Sequence, residues 1–204
     1  MEIVDISQEV FSCAVYPGDP SPERFEMLRK NRGDVCNLTA FKMCAHNGTH
    51  ADAPYHFIDG GKTIDRVDMK RFVGYAYVTA HEGEITAADA EAILKKAKIA
   101  GEYAGKEGEL PEKRILVKGK AVVMEEAARV FAAHELLLFG NESQTVGPED
   151  APMAVHLIML GAEIVLLEGI RLGEAEEGIW LLCAAPLNLG GTDGAPCRAV
   201  LIRD

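Results

Sequence analysis

The sequence predicts a single-domain α/β fold in which a central mixed β-sheet or barrel is flanked by helices. Short apolar runs rich in β-branched and aromatic residues outnumber the helical patterns. Several of these runs are apolar at nearly every position, which is typical of strands buried on both faces. No linker or internal repeat divides the 204 residues, a length that suits one domain spanning 1–204.

Eight segments have the composition of strands. The first, EIVDIS, alternates between apolar and polar residues, whereas runs such as ELLLFG and EIVLLEG are apolar through their centres. A Pro-rich stretch at 15–25 follows the first strand, so 1–35 is expected to form an N-terminal strand and an arm. The predicted strands are 2–7, 36–46, 72–80, 114–119, 135–140, 163–169, 179–184 and 197–203.

Three helices are predicted between these strands. Thr86 and Asp89 have the spacing of a capping box, with Asp in place of Glu, at the start of the first. The third has an acidic N-terminal turn, Pro152 near its start and Gly161 as its stop. The predicted helices are about 87–99, 124–134 and 147–161.

Composition and charge limit the partners and the location of the protein. Apolar residues make up 48% and charged residues 26%, which is ordinary for a soluble globular protein. The net charge of −11 disfavours nucleic acids and anionic membranes as partners. No run of 18 apolar residues occurs, and the N-terminus lacks the pattern of a signal peptide, so a cytoplasmic protein is expected.

The five cysteines include no C-x-x-C pair, which favours buried free thiols. Cys44 is a candidate nucleophile, because it lies two residues before His46 and both would share one face of a strand. Packing in the core is the more common role of such a cysteine and is preferred for Cys44.

Half of the chain's six histidines lie in the run HNGTHADAPYHF, residues 46–57, together with an aspartate. Its Asn-Gly pair and Pro54 disfavour a helix, so a turn or loop is predicted. Imidazole and carboxylate groups are ligands for zinc, manganese and iron, and a metal would draw them together. The alternative is a surface loop with incidental histidines. Three ligands, His46, His50 and Asp52, would leave a coordination position open for water or substrate, as in catalytic sites.

The same run resembles the signature H-x-G-T-H-x-D-x-P-x-H-F of the metal-dependent cyclase family, whose members include kynurenine formamidases (arylformamidases) and isatin hydrolases. The resemblance extends to YPGDP at 16–20, to GKTIDRVDMKRFVGYAYV at 61–78 and to PLNLGGTDGAPCRAVLI at 186–202, so it covers nearly the whole chain. It implies a swivelling β/β/α-like fold and a homo-oligomer, either a dimer or a tetramer.

The resemblance also implies two divalent metal ions, with zinc expected first and manganese as the alternative. His46, His50 and Asp52 would hold one metal. His156 would join the second, and Glu168, twelve residues later, would bridge the pair together with Asp52. Taken alone, His156 suits a packed core histidine and Glu168 a solvated strand end. A carboxylate that is drawn into the interior, however, needs a partner, and a cation can serve.

The resemblance implies that His56 binds neither metal and acts instead as the catalytic acid and base. The implied reaction is hydrolysis of a C–N amide or lactam bond in a small, aromatic, N-formyl or cyclic substrate. Two alternatives are a dehydrating cyclase and a metal-stabilised binding protein without turnover.

Two positions depart from the family's pattern and bear on the substrate. Tyr16 stands where kynurenine formamidases commonly carry Trp; it can still stack on an aryl ring, and we expect it in the substrate-binding site of its own or a neighbouring subunit. Asn141, in the segment NESQT, stands where Asp is common. The Gly-rich loop at 190–194 precedes no helix, so it is expected to line the pocket rather than to bind phosphate.

Overall fold

A nine-stranded mixed sheet runs through the computed structural model, which describes residues 1–204. Three α-helices pack on one face of this sheet, and two small two-stranded sheets accompany it. The helices are α1 (Ala87–Tyr103), α2 (Glu125–Ala133) and α3 (Met153–Gly161). The strands are β1 (Glu2–Asp5), β2 (Glu23–Leu28), β3 (Leu38–Lys42), β4 (His50–Asp52), β5 (Val73–Ala80), β6 (Gly83–Ile85), β7 (Arg114–Lys118), β8 (Ala121–Val123), β9 (Leu138–Asn141), β10 (Val165–Glu168), β11 (Gly178–Cys183), β12 (Gly194–Pro196) and β13 (Val200–Arg203).

The order of strands across the large sheet is β1-β13-β11-β5-β7-β9-β10-β4-β12. Its four central strands, β5, β7, β9 and β10, are parallel. All pairings outside them are antiparallel. β6 and β8 form a short parallel pair, and β2 and β3 form an antiparallel hairpin. The predicted α/β class, with a central mixed sheet flanked by helices, is confirmed.

Alternation of side chains along the strands divides the interior into two cores. In β7, Ile115 and Val117 face the helices, whereas Leu116 faces the second core, on the other side of the sheet. In β10, Leu166 lies on the helix side and Leu167 on the opposite side. The continuous apolar runs are therefore strands buried on both faces, as predicted.

The helices begin where local signals predict. The predicted capping box is present, since the Thr86 hydroxyl accepts from the Asp89 N–H at 3.3 Å and the Asp89 carboxylate accepts from the Thr86 N–H at 2.9 Å. α1 continues to Tyr103 rather than ending at 99. α3 begins at Met153, directly after Pro152, so the acidic residues lie before the helix instead of in its first turn. None of the helices has both the length and the apolar character needed to cross a bilayer.

Two predictions about irregular segments are wrong. Within 46–57, His50–Asp52 form β4, because these residues pair with β10 on one side and with β12 on the other. Residues 23–28 form β2 instead of continuing the arm, because the prolines end at Pro22 and the chain then pairs with β3. The strand predicted over 36–46 is confined to Leu38–Lys42, so Cys44 and His46 do not share a strand face.

Candidate metal centre

The pairing of β4 with β10 places three polar side chains on one face of the sheet. In this antiparallel register Asp52 lies opposite Leu166 and His50 lies opposite Glu168. Residues opposite each other project to the same face. Because Leu166 faces the helices, His50, Asp52 and Glu168 face them too. The intervening Ala51 belongs to the second core, as alternation requires.

α3 crosses this face and adds a fourth polar side chain. His156 lies on the buried side of α3, between core residues such as Val155 and Met159. Its Nδ1 donates to the carbonyl of Pro152 at 2.8 Å, which leaves the Nε2 lone pair free. That Nε2 lies 3.3 Å from Oε1 of Glu168 and 3.8 Å from Oδ2 of Asp52.

His50 is oriented in the same way. Its Nδ1 donates to the carbonyl of Gly48 at 3.1 Å, so its Nε2 carries the free lone pair. This Nε2 lies 3.4 Å from Oδ1 of Asp52 and 3.4 Å from Oε2 of Glu168. A backbone carbonyl that fixes the tautomer of a histidine is the usual support of a metal ligand.

The spacing of these donor atoms fits a divalent metal. Distances of 3.3–3.8 Å exceed those of good N–H···O hydrogen bonds. They match the roughly 3.4 Å that separates two ligand atoms when each lies about 2.1 Å from a tetrahedral ion. Oδ2 of Asp52 is buried and has no hydrogen-bond partner. An unpaired buried carboxylate oxygen is costly, and a cation beside it would remove that cost.

A second group of polar side chains lies on the adjoining loops. The turn before β4 carries His46, and the Gly48 in that turn has a φ of +64° with Cys13 only 2.9 Å from where a Cβ would be. Nδ1 of His46 lies 2.9 Å from Oδ1 of Asp52, and its Nε2 lies 2.9 Å from Oδ2 of Asp193. The His56 ring stacks on the His46 ring, with centroids 4.1 Å apart.

The electrostatics of the cluster require positive charge. Burial lowers the pKa of His46, but hydrogen bonds to Asp193 and Asp52 outweigh it and raise the pKa to about 11. Burial acts likewise on His50, yet the neighbouring carboxylates of Asp52 and Glu168 raise its pKa to about 9. Burial favours a neutral Asp52, but the two histidines hold its pKa well below the usual value. The charged partners of Asp52 and Glu168 are histidines alone, so protons or metal ions must supply the charge.

The remaining two ionisable groups behave differently. Burial lowers the pKa of His56, which favours the neutral imidazole at neutral pH. The hydrogen bond to His46 lowers the pKa of Asp193 to about 2, so this carboxylate is ionised.

A cavity of about 240 Å³ opens onto the cluster. Tyr16, Phe57, Gln144 and Thr145 contribute to its wall, and the Tyr16 hydroxyl donates to the carbonyl of Glu149 at 3.0 Å. Four larger cavities, of about 540, 430, 400 and 350 Å³, contain none of the clustered histidines. Because chemistry needs reactive groups and not only space, the smaller cavity is the candidate site.

The structure brings together all six residues that the sequence singled out for metal binding and catalysis. Tyr16 lies on the same cavity of its own chain. Cys44 lies outside it, with its thiol 3.8 Å from Oδ2 of Asp19. The residues brought together are His46, His50, Asp52, His56, His156 and Glu168.

Besides Gln144 and Thr145 of the cavity wall, the polar residue that sequence analysis missed is Asp193. It is the single acidic residue of the Gly-rich loop at 190–194, which contacts the histidines through Asp193 but, contrary to expectation, does not line the cavity. A single acidic residue in a Gly-rich loop was the one feature of the sequence that could have indicated a role for Asp193 at the site. Asn141, in contrast, is fully buried and donates to the carbonyl of Thr145, so it does not line the cavity.

A buried set of histidines and carboxylates that opens onto a cavity is the arrangement of a metal-dependent enzyme. The chain belongs to the cyclase family, because the family model described as "Putative cyclase" matches residues 4–147. It is 30% identical to the kynurenine formamidase of Salinibacter ruber and 31% identical to that of Bacillus cereus. Each alignment covers 98% of this chain and 97% of the relative.

Solved structures share the fold. A potential metal-dependent hydrolase with cyclase activity superposes with a TM-score of 0.77 at 24% identity, over 98% of this chain and 96% of the other. Isatin hydrolase A from Labrenzia aggregata superposes with a TM-score of 0.74 at 21% identity, over 98% and 93% of the two chains.

Proposed function

We propose that this protein is a metal-dependent hydrolase that cleaves a C–N amide or lactam bond in a small aromatic N-formyl or cyclic substrate, as an arylformamidase does. The observation that carries the proposal is a pair of buried carboxylates that face two histidines at the spacing expected of ligands on a metal ion, with His56 beside them. The kynurenine formamidases, aligned over nearly their whole length, support the same chemistry.

We propose two divalent ions, zinc first and manganese as the alternative, since both accept nitrogen and carboxylate ligands. His46, His50 and Asp52 would hold one, His156 would belong to the other, and Asp52 and Glu168 would bridge them. Each bridging carboxylate supports this, because it presents one oxygen toward His50 and the other toward His156.

A bound divalent ion would polarise the substrate carbonyl and lower the pKa of water from 15.7 to about 7. The chain's own residues would handle the substrate and the protons. Nε2 of His56 would take the proton of the attacking water and pass it to the leaving nitrogen, which is a poor leaving group until protonated. Tyr16 and Phe57, on the cavity wall, would hold the aryl ring.

Two other functions use the same cluster. A dehydrating cyclase would close a ring with loss of water at the same groups, and a metal-stabilised binding protein would hold the ion without turnover. His56 favours an enzyme over a binding protein, because a purely structural site has no need of an imidazole beside its ligands.

We also propose a cytoplasmic homo-oligomer, a dimer or tetramer. The five cysteines are all free, as is usual in a reducing compartment. The β2–β3 hairpin exposes apolar side chains in the single chain, and such patches commonly mark interfaces. They are Phe25, Met27, Leu38 and Phe41, each exposed to 43–59%. Sedimentation that gives a strict monomer would contradict this assembly.

The proposal is tested by purifying the protein without chelator, measuring metal by elemental analysis, and assaying N-formyl anilines, isatins and cyclic imides. We expect bound zinc or manganese and hydrolysis that strong chelators abolish. Ring closure of the corresponding open-chain acids would favour the cyclase, and bound metal without turnover would favour the binding protein. His134→Asn serves as the control variant, because His134 is exposed and lies outside the cavity. Full activity in metal-free protein would end the proposal.

A further inference from the structure

One carboxylate oxygen contacts two histidines of different proposed roles. Oδ2 of Asp193 lies 2.9 Å from Nε2 of His46 and 3.1 Å from Nδ1 of His56. We infer that Asp193 is a positioning residue, which fixes the tautomers of the metal ligand His46 and of the proton carrier His56 together. This inference rests on the proposed function, which gives the two histidines those roles.

The tautomers follow from hydrogen-bond chemistry. An ionised carboxylate can only accept, so both facing nitrogens must carry hydrogen: Nε2 of His46 and Nδ1 of His56. In a neutral His46 ring the lone pair is then on Nδ1, which lies 2.9 Å from Oδ1 of Asp52. Two acceptors at that distance repel each other unless a cation lies between or beside them. Asp193 thus prepares His46 to bind a metal through Nδ1.

The same hydrogen bond decides which nitrogen of His56 can accept a proton. With Nδ1 protonated, Nε2 becomes the only proton-accepting atom of the neutral ring. His56 lines the cavity, so the ring can accept a proton from a group bound there. Loss of Asp193 would allow the other tautomer, in which the base is on the wrong nitrogen. The aspartate of a Ser-His-Asp triad orients its histidine in the same way.

The backbone around Asp193 is fixed on both sides. Its carbonyl accepts from the N–H of Ala53 at 2.9 Å, and the preceding Thr192 carbonyl accepts from the N–H of Ile64 at 2.9 Å. The following Gly194 pairs with Asp52 in the sheet, and a Cβ there would lie 2.8 Å from Cε1 of His46. Only glycine lets the loop approach the His46 ring so closely. These anchors are backbone groups, so they remain when the Asp193 side chain is changed.

The test compares Asp193→Asn with wild type in the metal-loaded enzyme. Asn retains the size but loses the charge, and its single carbonyl oxygen is a weaker acceptor for two N–H groups. We expect kcat and metal affinity each to fall about 10–100-fold, with KM nearly unchanged and partial recovery in Asp193→Glu. Asp65→Asn is the matched control, because Asp65 accepts from Gly191 in the same loop and touches neither histidine.

Two measurements separate positioning from general damage to the fold. In a His56→Asn background, Asp193→Asn should no longer lower kcat, although it should still weaken metal binding. In protein with ¹⁵N-labelled histidine, NMR should show His56 protonated at Nδ1 in wild type and shifted toward Nε2–H in Asp193→Asn. A wild-type His56 with hydrogen on Nε2, or an undiminished loss of kcat in the double variant, would overturn the inference. If wild type hydrolyses none of the substrates, the proposed function fails, while the NMR result still decides the role of Asp193.

Discussion

The polar residues of the site belong to two groups that differ in how they are held. The framework group lies on strands and on a helix, and its nitrogen–oxygen distances are 3.3–3.8 Å. The loop group lies on turns and on a loop, and its hydrogen-bond distances are 2.9–3.1 Å. The framework group is His50, Asp52, His156 and Glu168; the loop group is His46, His56 and Asp193.

This difference separates two tasks. Sheet register and helix packing hold the framework group at the spacing of ligands around a metal ion, which is too long for good hydrogen bonds between its members. The loop group is already hydrogen-bonded and offers paths along which a proton can move. His46 belongs to both, because its two ring nitrogens face Asp52 and Asp193. We therefore expect changes in the framework group to remove metal and changes in His56 to remove turnover.

The largest effect is expected from Asp52→Asn, which breaks the framework group. The substitution removes the charge that His46, His50 and His156 all face. Metal content should fall to background and kcat by about 10³-fold or more, because a catalytic metal contributes several kcal/mol. Elemental analysis and turnover should be measured on one preparation, with exposed Asp59→Asn as the control. Full metal occupancy in Asp52→Asn would contradict the assignment of metal binding to the framework group.

His56→Asn should separate the two groups. Asn keeps a hydrogen-bonding group near Asp193 but cannot carry a proton, so kcat should fall on the order of 10²-fold or more while metal content stays near wild type. His50→Asn, in contrast, should lose metal and activity together. If His56→Asn loses metal in proportion to its activity, His56 is a ligand; if it loses neither, the acid–base group lies elsewhere.

The members of the framework group were predicted through the resemblance to the cyclase family, whereas the pattern of the residues alone indicated only the buried elements on which they lie. The apolar run that ends at Glu168 and the apolar helix around His156 indicated buried elements, and both are present. The run His50–Asp52 was predicted as a loop, because three residues between a turn and a proline carry too little pattern for a strand. Its strand character comes from pairing with β10 and β12, which lie far along the chain.

The loop group was harder to predict for the same reason. Asp193 is 147 residues from His46, and no local pattern links a lone aspartate in a Gly-rich loop to a histidine turn. The β2–β3 hairpin was also missed, since its first strand follows three prolines and none of its residues is buried in the single chain. A contact between distant segments therefore places Asp193 beside the histidines, whereas the hairpin forms between neighbouring strands whose residues lack the pattern of burial.

The free energy of unfolding of the metal-free protein should depend on pH, because His50 and His46 carry positive charge beside the buried carboxylates. In the metal-free protein the pKa of His50 is raised to about 9 and that of His46 to about 11, above about 6.5 in the unfolded chain. Their contribution is therefore complete below about pH 6.5 and is lost as the pH rises through about 9 and then about 11. Each histidine contributes at most about 1.4 kcal/mol per pH unit in that window.

The measurement is thermal unfolding with and without chelator from about pH 6.5 to about pH 9. We expect the Tm of the metal-free protein to fall by several degrees, since about 1 kcal/mol corresponds to roughly 2–4 °C in a domain of this size. The metal-loaded protein should lose less, because the cation replaces the protons. If Tm falls equally with pH in the metal-free and the metal-loaded protein, the metal does not replace the protons of the histidines.

The smallest effect is expected at Tyr16, which lines the cavity but belongs to neither group. Tyr16→Ala removes an aromatic wall and should raise KM about 10-fold for aryl substrates, since such contacts contribute about 0.5–1.5 kcal/mol, while kcat and metal content should change little. Tyr16→Phe keeps the ring and loses only the hydrogen bond to the Glu149 carbonyl, so its KM should rise less. Tyr103→Ala is the control, because that side chain is 96% exposed. An unchanged KM in Tyr16→Ala across N-formyl anilines and isatins would remove Tyr16 from the substrate site. A fall in metal content instead would show that the arm supports the framework group and that the two parts of the site are not independent.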